Sequence, residues 1–311
     1  MKVFRTLDFQ EQFRNPVLTI GNYDGIHIGH RKIIELVKRK AAEMDGTSIL
    51  MTFHPHPLQM LQPDRELPSI TPLDRKIELI EETGIDVLII VPFTEEFGFV
   101  EADDFIKGIL VDRLKIKGLV IGYDFRFGRG GRGDTSMLKE HGSRYGFKVH
   151  VVERVAIDHE KVGSNKIRIL VRNGNVAEAC HLLGRPYSLG GQVVSGMSRG
   201  REIGFPTVNL KTDHNLVPAN GVYITQLEYH NEKHPSVTNI GYNPTFGNAE
   251  RTIETHILDF QGLLYGCAIT LHFLRRIRDE VKFGSVKELV RRITADVDEA
   301  RAFFQSRDKG C

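Results

Sequence analysis

The sequence predicts two folded units of different class: an α/β unit with a parallel sheet over residues 1–184, then a β-rich unit of antiparallel strands over 185–311 that closes with a helix. Three observations predict it. Short apolar runs alternate with amphipathic ones through the first half, as the strands and crossover helices of a parallel sheet do. After Gly184 strand-like runs follow one another across turn residues with no helix between them, the grammar of an antiparallel barrel or sandwich. A chain of 311 residues is long for one core and comfortable for two.

In chain order, VLTI (17–20) is an apolar run of strand length. RKIIELVKRKAAEM (31–44) has apolar residues at 33, 34, 37, 41 and 44, the spacing of one helix face. TSILMTF (47–53) is the next strand. PLDRKIELIEETG (72–84) opens on proline and ends on glycine, the usual asymmetry of a helix. VLIIV (87–91) is a strand, and EADDFIKGILVDRL (101–114) a helix with acids in its first turn, where the dipole favours them. GLVIG (118–122), SMLKEHGSRYG and FKVHVV (147–152) add strand, helix and strand. Near-continuous Val, Ile and Leu suits strands buried on both faces. NVAEACHLLG (175–184) is a further helix, and the unit boundary is placed at Gly184–Pro186. Beyond it, SLGGQVV, PTVNL, GVYITQLEY, PSVTNIG, TIETHIL and CAITLHFL are strands, and SVKELVRRITADVDEARAFF (285–304) is the closing helix.

Composition excludes more than it selects. With 41% apolar and 26% charged residues the chain is not of disordered type. Lys and Arg number 42 against 40 Asp and Glu, a net charge of +2, which gives no support to bulk binding of a polyanion. Three cysteines, Cys180, Cys267 and Cys311, lie far apart with no CxxC pair, so neither a disulfide framework nor a zinc site is expected. The N-terminus lacks the apolar core of a signal peptide, and no run reaches the roughly 20 apolar residues of a membrane helix. A cytoplasmic protein is expected.

Two strings carry chemistry. GNYDGIHIGH (21–30) follows a strand and precedes a helix. Ligands of open α/β sheets sit at strand carboxyl ends, and a helix N-terminus offers unpaired N–H groups and partial positive charge to phosphate. His27 and His30 could share one side of the entering turn, as a phosphate site or simply as a helix cap or turn bridge. In the second half, PTVNL sends Thr207 and Asn209 to one face of a strand. A hydroxyl beside an amide carbonyl suits Mg²⁺; two polar residues on a wet strand face is the plainer alternative. In TIETHIL, Glu254 and His256 share the face opposite Ile253, Thr255 and Ile257, so Glu254 is either a base for an attacking hydroxyl or a solvent-facing carboxylate.

GNYDGIHIGH resembles the H-x-G-H signature of the nucleotidyltransferase superfamily. TFHPHP (52–57), GYDFRFGRGGRGD (122–134) and KVGSNKIRILVRNG (161–174) follow in order. GQVVSGMSRGREIGFPTVN, PANGVY, NIGYNPTFG, IETHILDF, LYG and IRDEVKF then span the second half. Together these strings resemble the bacterial bifunctional riboflavin kinase/FAD synthetase family. The resemblance implies a Rossmann-like nucleotidyltransferase domain over 1–184 and an antiparallel β-barrel riboflavin kinase domain with a C-terminal helix over 185–311. It implies phosphorylation of riboflavin by ATP with Mg²⁺ to give FMN, then adenylylation of FMN by a second ATP to give FAD and pyrophosphate. Flavins are then substrate and product, not redox cofactor, and no nucleic acid or membrane partner is implied. His27 and His30 would stabilise the reacting α-phosphate. Gly21, Asn22, Asp24, Gly29, Asp124, Arg126, Ser164 and Arg168 would contact nucleotide, with GRGGRG as a flexible loop over the ligand. Thr207 and Asn209 would hold the metal, Glu254 would be the general base, and Arg278, Glu280 and Phe283 would meet flavin. Gly163 and Asn165 depart from the family's Ser-Ser-Thr pattern, which leaves a kinase with a degenerate adenylyltransferase half as one alternative. A non-enzymatic flavin- or RNA-binding module is the other.

Overall fold

The computed structural model describes residues 1–153, 156–157, 160–195, 199–243 and 250–308. Cys311 and the parts of two family strings, Gly196–Ser198 and Pro244–Gly247, lie outside the described residues. The chain divides into two compact units, Met1–Ser164 and Asn165–Cys311.

The first unit runs β1 (Lys2–Phe4), β2 (Val17–Ile20), α1 (Ile28–Glu43), β3 (Ser48–His54), α2 (Pro57–Leu61), α3 (Leu73–Glu81), β4 (Val87–Pro92), α4 (Glu95–Gly98) and α5 (Ala102–Asp104). A π-helical stretch, Phe105–Arg113, extends α5; then come β5 (Gly118–Gly122), α6 (Thr135–Tyr145), β6 (Lys148–Val152) and a short ladder of β7 (Ala156–Ile157) with β8 (Glu160–Lys161). Strands β1 to β6 form one parallel sheet in the order β1-β4-β3-β2-β5-β6. The chain builds from β2 through β3 to β4 on one side, then crosses to β5 and β6 on the other. The β2/β5 junction is therefore the switch point, where loops diverge at the strand carboxyl ends and leave a crevice.

Side chains alternate across this sheet. Leu18, Ile49, Met51 and Ile89 pack on one face with Phe105, Ile106 and Leu138. Val17, Leu50, Leu88 and Val120 pack on the other with Ile34, Val37, Leu79 and Ile80. Both faces are thus covered, as the apolar runs predict. β1 has no such signal, since it is a three-residue edge strand with two exposed side chains. α1 begins at Ile28, before its apolar spacing does, because His27 caps it.

After α7 (Ser164–Arg172) and α8 (Val176–Leu183), the second unit continues through β9 (Tyr187–Val194), α9 (Arg199–Glu202), β10 (Thr207–Lys211), β11 (Gly221–Tyr229), β12 (Glu232–Asn243), β13 (Glu250–Ile257), β14 (Ala268–Arg278) and α10 (Val286–Asp308). Its strands close into an antiparallel barrel, β10-β13-β12-β11-β14-β9. The compact unit begins earlier than the Gly184–Pro186 boundary expected from element grammar. The reason is α8, which packs on β14 and β9 and buries Val176, Ala179, Leu182 and Leu183.

The barrel interior is not purely apolar. Thr225, Ser236, Thr238 and Thr255 are fully buried and bonded in series: Thr225 to Ser236 and to Thr238, each at 2.8 Å, and Thr238 to Thr255 at 2.9 Å. Each hydroxyl answers another, so their burial carries no unpaired-group penalty. On the outer face α10 packs Val297 and Ala300 against Val222, Ile224, Val237 and Leu274.

Candidate functional sites

In the first unit the GNYDGIHIGH turn leaves β2 at the switch point. Tyr23, Gly25 and Ile26 all have positive φ, at 47°, 92° and 40°. A β-branched residue in that region is strained, and strain of this kind persists where the surroundings over-determine the chain. The surroundings are explicit. The Asn22 carbonyl accepts from Thr52 Oγ1 and from the buried Lys76 Nζ, both at 3.0 Å. Gly25 N–H donates to Thr71 Oγ1 at 2.7 Å. The buried Asp24 carboxylate accepts from Ile70 N–H at 3.0 and 3.1 Å and from Thr71 N–H at 3.1 Å. Ser164 Oγ donates to the Asp24 carbonyl at 2.9 Å. Asp24 is therefore a clamp on the turn. Asp24→Ala is expected to cost about 1–3 kcal/mol through buried N–H groups left unpaired, seen as a lowered unfolding midpoint.

The clamped turn delivers the two histidines. His27 is the N-cap of α1, and its Nδ1 accepts from His30 N–H at 3.2 Å. A neutral ring that accepts at Nδ1 carries its proton on Nε2. The rings of His27 and His30 stack at 3.5 Å and 13°, and Tyr23 lies 4.9 Å from His30. Tyr23 is bonded to Thr19 at 2.6 Å, and burial pushes its phenol well above the usual range, so it stays neutral. Across the switch point, Gly122 ends β5 and leads to Asp124 and Arg126, both exposed, with Arg126 Nη1 3.5 Å from Asp134 Oδ2.

The GRGGRG segment closes on itself through its ends. Phe127 and Gly133 exchange backbone hydrogen bonds at 3.2 and 2.9 Å, and Gly128, Gly130 and Gly131 take the positive φ that the tight path requires. His56 is the N-cap of α2, its Nδ1 accepting from Leu58 N–H at 3.1 Å. His54 ends β3, and burial, with Lys76 nearby, pulls its imidazole below the usual value. Arg168, on α7, is buried and donates to Asn165 Oδ1 at 2.8 Å within the second unit. The departing residue Asn165 thus has a definite role in orienting Arg168.

In the second unit six expected residues come together. Thr207, Asn209, Glu254, Arg278, Glu280 and Phe283 all line one cavity of about 320 Å³ on the outer face of the barrel, covered by Leu289, Ile293 and Asp296 of α10. Strand register explains it. Asn209, Glu254 and Asn239 form one row across β10, β13 and β12, and Thr207, His256 and Val237 form the next. Opposed side chains of antiparallel strands share a face. Arg278 is tied to the buried Asp296 by Nε at 3.0 Å and Nη2 at 2.7 Å, and its guanidinium lies 5.8 Å from the Phe283 ring centre. Glu280 accepts from Asn220 Nδ2 at 3.3 Å. Asn239 and His256 line the same cavity but were not among the expected site residues. Their signal was the period-two alternation of VTNIG and IETHI.

Residues 9–166 match the family model described as FAD synthetase, and residues 183–304 match that described as riboflavin kinase. The curated bifunctional riboflavin kinase/FMN adenylyltransferase of Bacillus subtilis (strain 168) is 38% identical over 96% of this chain and 95% of its own length. The chain belongs to the bifunctional riboflavin kinase/FMN adenylyltransferase family. The family's Escherichia coli (strain K12) member is 36% identical over 93% of this chain and 92% of its own. A Streptococcus pneumoniae crystal structure described as a macrolide-efflux protein superposes with a TM-score of 0.88 at 30% identity, covering 96% of this chain and 98% of that one. Among the described residues of this chain no helix is long and apolar enough to cross a membrane.

Gly200, on α9, shows how this family member holds its threonine. A Cβ at Gly200 would lie 2.3 Å from the Phe205 carbonyl oxygen and 3.3 Å from Thr207 Oγ1. The first contact is with backbone and cannot be relieved by a rotamer. Gly200→Ala is expected to displace Phe205–Thr207 and cost about 1–3 kcal/mol, as overpacking does. FMN formation should fall while FAD formation from supplied FMN is unchanged, as measured by chromatography of both products.

Proposed function

We propose that the two reactions of the family are divided between the units of this chain. The barrel unit transfers the γ-phosphoryl group of ATP to riboflavin, giving FMN and ADP. The α/β unit then joins FMN to the AMP portion of a second ATP, giving FAD and pyrophosphate. The observation that carries the assignment is the single cavity holding Thr207, Asn209, Glu254, Arg278, Glu280 and Phe283.

In the barrel, Glu254 takes the proton from the riboflavin hydroxyl as that oxygen attacks phosphorus. Phe283 and the Arg278 guanidinium form the flavin side. Thr207 and Asn209 fit a hard divalent cation by chemistry: neutral oxygens on one strand face, opposite the carboxylate-bearing strand. Among the described residues no group of three or more His, Cys, Asp or Glu side chains could hold a metal. Mg²⁺ is commonly bound through few protein ligands and substrate phosphates. When bound, it neutralises charge on the transferring phosphates.

In the α/β unit, His27 and His30 donate hydrogen bonds to the α-phosphate as its charge grows, at the positive end of α1. Gly21, Asn22 and Gly29 supply backbone at close approach, Asp24 and Ser164 hold the turn, and Asp124 and Arg126 complete the nucleotide contacts made by this unit. No covalent enzyme intermediate is involved; positioning and charge stabilisation do the work. The partners are small molecules, and the setting is the cytoplasm. Purified protein given FMN, ATP and Mg²⁺ should release FAD and pyrophosphate; given riboflavin in place of FMN it should pass through FMN and ADP. FMN formation without any FAD from supplied FMN would leave a kinase with an inactive first unit.

A further inference from the structure

His256 stands in the barrel cavity among the residues already discussed and has no part in the roles given above. It faces Thr207 across the β10–β13 ladder. Its Nδ1 lies 2.8 Å from the Pro206 carbonyl oxygen. A carbonyl only accepts, so Nδ1 carries the proton and donates. The same ring meets Phe205 edge-on, with centroids 5.5 Å apart at 78°. One imidazole therefore grips the two residues immediately before Thr207. That segment needs a grip, because Thr207 is the first residue of β10, where strands fray. Pro206 has no N–H to add to the ladder.

We propose that His256 is a positioning residue for the cation site: by holding the Pro206 carbonyl and the Phe205 ring, it sets the Thr207 hydroxyl where a phosphate-bound divalent cation takes it as a ligand. This rests on the reading of Thr207 as such a ligand. The imidazole acts through Nδ1–H, and its contribution to the cation is indirect, as it is for outer-shell partners of metal ligands.

The test uses the full chain with Mn²⁺ and ADP, because Mn²⁺ is a spectroscopic stand-in for Mg²⁺ and its bound fraction can be read by electron paramagnetic resonance without turnover. His256→Ala should weaken Mn²⁺·ADP binding by about 10-fold or more and raise the Mg²⁺ concentration needed for half-maximal FMN formation. His256→Asn places an amide N–H near the position of Nδ1–H and should recover most of both losses. His256→Gln places its amide nearer Nε2 and should not. Unchanged Mn²⁺·ADP affinity in His256→Ala overturns the proposal. So does rescue by Gln but not Asn, which would put Nε2 on a ligand. Equal loss in all three variants, tracking a lowered unfolding midpoint, would reduce His256 to a purely structural residue and also overturn it. Thr207→Ala is the separate control: if it binds Mn²⁺·ADP as the unmodified chain does, the cation reading of Thr207 itself fails, whatever His256 does.

Discussion

Glu254→Gln is expected to lower FMN formation from riboflavin by about 10²–10⁴-fold, the usual contribution of a positioned general base, and to leave FAD formation from supplied FMN at its original rate. The substitution keeps the shape of the side chain and removes its ability to accept a proton. Its effect on folding should be small. Glu254 is half-buried on the outer face of β13, while the neighbours that build the barrel interior, Ile253 and Thr255, point the other way. Asn209 and Asn239 face it from the strands on either side. Riboflavin, ATP and Mg²⁺ are incubated with the variant and products are separated by chromatography; a parallel reaction starts from FMN. A matching fall in both reactions would mean that one site serves both steps. A kcat within a few-fold of the unmodified chain would mean that another group takes the proton.

Much of this was legible before any coordinates. The apolar runs VLTI and VLIIV identify strands buried on both faces, and the sheet uses successive residues of each run on opposite sides, as with Val17 and Leu18. The barrel residues were legible for a related reason: a strand's period of two sends Thr207 and Asn209 one way, and Glu254 with them once the strands pair. What stayed hidden depends on contacts between distant segments. Nothing local tells Asp24 that the backbone of Ile70 and Thr71 will need a carboxylate. Nothing local pairs Arg278 with Asp296 on α10, or hands the Pro206 carbonyl to His256. Nothing local in GRGGRG tells that Phe127, just before it, and Gly133, at its end, will exchange backbone hydrogen bonds. The earlier unit boundary has the same origin, since only the barrel surface reveals where α8 buries its apolar face.

His30→Ala is expected to remove FAD formation while FMN formation from riboflavin continues. Loss of one preorganised donor to a developing charge typically costs about 10²–10³-fold in turnover, and here the donor stands at the positive end of a helix. His27 and His30 are not equivalent in this respect. His27 caps α1 through Nδ1, so His27→Ala should lose activity and also about 1 kcal/mol of stability, a typical value for a lost cap. His30 contributes its backbone N–H to that cap, a group that alanine retains. Its ring stacks on His27 at 3.5 Å and meets the Tyr23 ring at a 52° tilt, 4.9 Å away. The pair of variants therefore separates chemistry from folding: both should fail to release pyrophosphate from ATP with FMN, and only His27→Ala should melt measurably earlier. If His30→Ala still makes FAD at a comparable rate, the imidazoles are a helix cap and its stacking partner, and the charge on the α-phosphate is met elsewhere. If instead it loses both products, the GNYDGIHIGH turn supports the whole chain rather than one reaction.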